Sequence, residues 1–234
     1  MTERANGFDR AAAITRSLLG WGVVAGMFYL AVGLVQGLTR DGFSFSEHAL
    51  SLLMLGEGGW VQSANLMVSG AMVVAAALGF NKAMSPGKGA VSASFLVGIY
   101  GAALIGSGFF PPDPVDGFPN SGSAAEATTE GLMHIALGGT GFLALVAATF
   151  VVAGWLSRRG DSGAATRSRI AGAIVLVGFV GGAALATATP GVVMLWVAVV
   201  TGWLWLAITS LGLYRTVPHP DLDRRVGVGL QTLL

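Results

Sequence analysis

Five stretches of this chain, residues 17–39, 58–81, 89–112, 131–157 and 170–214, contain no Asp, Glu, Lys or Arg. Each is long enough to cross a bilayer, since about 20 apolar residues span roughly 30 Å of hydrocarbon. The last is roughly twice the length of one span, and it contains Thr187-Ala-Thr-Pro-Gly191, where Pro-Gly signals a turn. The pattern therefore predicts six spans, near 17–39, 58–81, 89–110, 131–156, 170–188 and 192–213. Residues 1–16 and 215–234 flank a single membrane domain. Composition agrees: 11% of residues are charged, against roughly 25% in soluble domains, and mean hydropathy is +0.71. The fold class expected is an all-α integral membrane bundle. Cysteine is absent, which excludes disulfides, iron–sulfur clusters and thiolate metal sites. Arg4, Arg10 and Arg16 precede an apolar run too long for a cleavable signal, so the first helix is expected to be retained.

Basic residues orient the bundle. With the N-terminus inside, the inner segments hold Arg4, Arg10, Arg16, Lys82, Lys88, Arg158, Arg159, Arg167, Arg169, Arg215, Arg224 and Arg225, and the outer segments only Arg40. This predicts a multi-pass protein of the cytoplasmic (inner) membrane with both termini in the cytoplasm. Trp60 and Trp155 fall at span ends, where interfacial aromatics are expected.

Two outer segments are more than turns. Residues 43–55 are too short to span and read as a helix at the outer interface, with Ser44 or Ser46 as N-cap and Gly56 as stop. Residues 109–130 begin rigid and proline-rich and continue into a Ser/Ala/Thr/Glu stretch. Glycine pairs at G-x-x-x-G spacing, Gly22/Gly26, Gly33/Gly37 and Gly178/Gly182, permit tight helix packing, either inside one bundle or between copies in a homo-oligomer.

The span interiors carry no Asp, Glu, Lys or Arg, and His134 is the only histidine within a span. Ion-coupled transport usually keeps a charge near the midplane, so proton or sodium coupling is disfavoured. The deepest polar side chains, Gln36, Gln62, Asn65 and Thr201, suit interhelical hydrogen bonds. Ionisable groups gather instead at the outer face: Glu47 and His48, Asp113 and Asp116, then Glu130 and His134 on one helical face. Three readings stay open. His48, Asp113 and His134 could hold a divalent metal such as Zn²⁺, with an open position for a hydrolytic water. Ser44-x-x-x-His48 resembles one motif of membrane-embedded metal hydrolases, although their paired H-x-x-x-H is missing. The two histidines could instead ligate haem axially, or hydrogen-bond Glu47, Asp113 or Asp116 and hold the outer loops on the bundle. No Walker A, H-E-x-x-H or nucleophile elbow occurs, and no dinucleotide fingerprint in a strand–helix context. The thin basic surface suits anionic lipid headgroups as partners and gives no support for nucleic acid.

Several runs resemble a family of bacterial multi-spanning proteins, domain-of-unknown-function family 998. They are Glu47-His-Ala-Leu-Ser-Leu-Leu-Met-Leu-Gly56 followed by Gly59-Trp-Val-Gln62 and Asn65, then Gly106-x-Gly-x-Phe-Pro-x-Asp113-Pro, Gly117-Phe-Pro119 and Gly131-Leu-Met-His134. The resemblance covers nearly the whole chain. It implies that His48, Ser51, Asp113 and His134 occupy recurrent positions on the outer side, and it carries no assigned activity. Two classes of function follow as expectations. In one, a lipid or isoprenoid-like molecule is bound or processed at an outer-leaflet pocket lined by His48, Asp113 and His134, with Glu47, Ser51, Gln62, Asn65 and Asp116 contacting it. In the other, a non-enzymatic scaffold or uncoupled permease uses those residues structurally.

Overall fold

The computed structural model describes residues 8–115, 117–119, 126–186 and 188–220. Six helices are long and apolar enough to cross a membrane: α1 (Arg10–Thr39), α2 (Gly59–Met84), α3 (Ala90–Ser107), α4 (Thr129–Arg158), α5 (Ser162–Ala184) and α6 (Thr189–Thr216). The chain is a multi-pass, all-helical membrane protein. Each helix packs on its neighbours in sequence and α6 closes back on α1, forming a ring. The ring is no pore, because Trp203 of α6 fills its centre against Tyr29 of α1 (ring centroids 5.2 Å apart) and Tyr100 of α3 (5.7 Å). Large apolar side chains such as Leu38, Phe95, Val177 and Ile208 stay exposed on the outside. A helix apolar on every side needs lipid to cover what the bundle does not.

Helix ends follow from local chemistry. Asp9, Thr128 and Asp161 accept hydrogen bonds from Ala12, Gly131 and Ala164 backbone N–H groups, capping α1, α4 and α5. The helices overrun the predicted spans at their charged ends; α5 starts at Ser162 rather than near 170. Pro190 is not in the turn that its Pro-Gly pairing predicts. It lies in the first turn of α6, where the missing N–H costs nothing, and the chain reverses at Leu185–Ala186 instead. Thr187 lies outside the described residues, as do Arg4, Asp116, Arg224 and Arg225.

The short helix expected between the first two spans is present but shorter than the predicted 43–55: a five-residue 3-10 helix, Leu50–Met54. Its length is limited because Leu50, Leu52, Leu53 and Met54 are all buried, so the segment folds onto the bundle end instead of floating with one apolar face down. Phe45 sits against Gly37 and Leu50 against Gly33. The glycine pairs are thus occupied within one chain. Gly26 takes Trp203, Gly22 takes Ser210 and Ala76, and Gly178 and Gly182 take α6 at Ala198 and Leu195. Trp155, expected at the interface, is instead buried, with Arg159 stacked on its ring at 4.7 Å.

Candidate functional site

One end of the bundle carries a lid, residues 40–58, and the 108–119 loop beside it; the other end carries Phe8 and Pro220, the first and last described residues. Arg40, the one Lys or Arg among the described residues outside the arginine-rich end, clasps the lid. Its guanidinium donates to the Leu55 and Glu57 carbonyls. That closure needs Gly56 and Gly58 at φ +69° and +77°, a backbone region that favours glycine.

His48 is buried in the lid. Its Nδ1 accepts from the Ser44 backbone N–H at 2.9 Å, so in the neutral ring Nε2 carries the proton. Phe43 and Phe118 pack on the imidazole at 5.4 and 5.0 Å. Burial pushes its pKa below the ordinary histidine value, against the opposing charge of Glu47. Phe118, fully buried, is the residue that ties the 108–119 loop to the lid. It sits inside a motif that was visible in the sequence, but its apolar character drew no attention.

Asp113 and His134 form a second knot. Asp113 accepts from the Thr128 hydroxyl at 2.6 Å and its backbone N–H at 3.2 Å, holding the residue that caps α4. Gly131 lies so close that any Cβ there would overlap the Asp113 carboxylate. His134 Nδ1 donates to the Phe110 carbonyl at 2.7 Å and approaches that of Ser107 at 3.2 Å, fixing the opposite tautomer from His48. The motifs that looked like a reactive constellation therefore meet through the 108–119 loop. Among the described residues both histidines bond backbone groups rather than Glu47 or Asp113. No hydrogen bond or ring contact among the described residues joins His48 to His134 or Asp113, and no three His, Asp or Glu side chains there come together to hold a metal ion. Glu47 and Glu130 are exposed and Ser51 is half-buried.

Beneath the lid, in the last turns of α1 and the first turns of α2, lies a buried amide cluster. Gln62, Asn65 and Ser69 share one face of α2, with Gln62 and Ser69 completely buried. Gln62 Oε1 accepts from Gln36 Nε2 at 2.9 Å and Asn65 Nδ2 at 3.1 Å. Asn65 also donates to the Tyr29 carbonyl at 3.0 Å and accepts from Ser69 at 3.4 Å. Two donors converging on Oε1 fix the amide's orientation, because a flipped Gln62 would set N–H against N–H. Gln62 Nε2 is left without a hydrogen bond. It borders the Tyr29 side chain. Ser107 Oγ and Trp196 Nε1, also toward the lid end, are buried and unpartnered too, with Phe45 of the lid on the Trp196 ring at 5.8 Å. Gln36 is half-buried and extends the cluster toward the lipid-facing surface. By contrast, a cavity of about 370 Å³ between α5 and α6 is lined by Ala173, Ile174, Val177, Val193, Met194 and Val197 and offers no polar side chain.

The family model described as "protein of unknown function (DUF998)" matches residues 23–212. No curated protein and no solved structure matches the chain.

Proposed function

The chain belongs to the DUF998 family, and from that premise we propose that it binds a lipid or isoprenoid-like molecule at the lid end. The polar end of the ligand would offer an oxygen acceptor to Gln62 Nε2. The observation that carries this reading is the unpaired Gln62 N–H itself. In hydrocarbon an unmade hydrogen bond costs several kcal/mol, and the Gln62 oxygen is already used twice. A leucine would avoid that cost; a ligand oxygen would remove it. Asn65 and Gln36 position the amide, and His48, Asp113 and His134 hold the lid and loop in place around it. This differs from a pocket in which those three residues touch the ligand or hold zinc or haem; their hydrogen bonds favour a positioning role.

We also place the lid end in the outer leaflet of the cytoplasmic membrane, because nine of the ten described Lys and Arg residues lie at the other end. Native mass spectrometry of detergent-extracted protein tests the binding. The expected result is a lipid-mass adduct on the wild type that is lost from Gln62→Met. An adduct of equal occupancy on both would contradict the reading.

A further inference from the structure

The end of the bundle opposite the lid contains a cavity of about 390 Å³ lined by Arg16, Ser17, Gly20, Tyr214, His219 and Pro220. It is built from the first turns of α1, the last turn of α6 and the segment that follows it. The Asp9 backbone N–H donates to the Pro220 carbonyl at 3.0 Å, latching the segment after α6 over the start of α1. Arg16 is held rigidly: one terminal nitrogen donates to the Val217 carbonyl at 2.7 Å, and the guanidinium lies 3.9 Å over the Tyr214 ring. Among the described residues, its other N–H groups make no hydrogen bond and no carboxylate lines the cavity. The Asp9 carboxylate is engaged at the Ala12 N–H, at 2.9 Å.

The cavity also straddles a chemical boundary. Arg16 is the last charged residue before the apolar run of α1, and Gly20 lies one turn deeper, about 6 Å along the axis. A Cβ at Gly20 would meet nothing within 4 Å. A fixed guanidinium at the polar edge with open apolar space one turn below matches a phosphodiester above its acyl chains.

We propose that this cavity seats the phosphate of an anionic phospholipid, with Arg16 as its donor and the acyl chains descending past Gly20. The test uses the full chain in a neutral detergent, with melting temperature followed against dioctanoyl phosphatidylglycerol, dioctanoyl phosphatidylcholine and inorganic phosphate. Phosphatidylglycerol is expected to raise the melting temperature clearly more than the other two. Gly20→Leu, whose side chain enters the cavity without disturbing packing, is expected to keep the lipid-free melting temperature and weaken the response about tenfold or more. Arg16→Gln should weaken it similarly; if that variant melts early through loss of the Val217 bond, Gly20→Leu carries the test. Gln62→Met should leave the response intact, which separates this site from the one under the lid. An equal response to phosphatidylcholine or to phosphate, or a response that survives Gly20→Leu, would overturn the proposal.

Discussion

Two buried polar networks cross this bundle, and they differ in one respect. Toward the arginine-rich end, Trp205 Nε1 donates to Ser168 Oγ at 2.8 Å, Ser168 donates to the Thr149 carbonyl at 2.7 Å, and Thr149 donates to the Val146 carbonyl at 2.6 Å. Every donor in that chain is used, and it joins α4, α5 and α6. Under the lid, the Gln36–Gln62–Asn65–Ser69 cluster joins α1 and α2 yet leaves the Gln62 amide nitrogen without an acceptor. A saturated network in a membrane interior is explained by packing alone. A network with a surplus donor asks for a partner from outside the chain.

Breaking the saturated network should give the largest loss of stability. Ser168→Ala orphans the Trp205 indole N–H and is expected to cost about 1–3 kcal/mol, read as a lower melting temperature, with the lipid adduct unchanged. Gly131→Ala pushes a methyl into the Asp113 carboxylate and should cost about 1–2 kcal/mol by loosening the cap of α4. Gln62→Met should cost about 1–2 kcal/mol, because the Gln36 and Asn65 N–H groups lose their shared acceptor, while the adduct disappears. If Gln62→Met instead keeps its lipid, the amide holds no ligand and the comparison fails. The smallest effect is a pH dependence. His48 is held neutral, so below its ordinary pKa near 6.5 the unfolded chain binds the extra proton. Stability at the lid should therefore fall as pH drops through about 6.5 toward 5. The wild-type slope of melting temperature against pH should exceed that of His48→Gln across this range.

The six helices were legible because absent charge over about 20 residues has one common meaning. The site was legible only in part. Gln62 and Asn65 stood out as amides in apolar runs, but a sequence cannot say which hydrogen bonds remain unmade. His48, Asp113 and His134 drew attention as reactive types, yet their hydrogen bonds run to Ser44, Thr128 and Phe110, partners set by loop geometry that spacing does not encode. Ser168 was hidden between Arg167 and Arg169. Those two side chains are exposed while Ser168, one helical step from each, points inward. Arg40 looked like an exception to the charge pattern, and only the carbonyls of Leu55 and Glu57 explain it.

The chain has three glutamines, Gln36, Gln62 and Gln231, so selective ¹⁵N-glutamine labelling isolates the decisive amide, assigned by the loss of its signals in Gln62→Met. The measurement is the Gln62 side-chain N–H resonances in delipidated protein before and after return of the native lipid extract. The expected result is a downfield shift and slowed hydrogen exchange at Gln62 as Nε2 gains an acceptor, with the Gln231 amide unmoved. Unchanged Gln62 resonances on saturation with the extract would contradict a ligand at this amide.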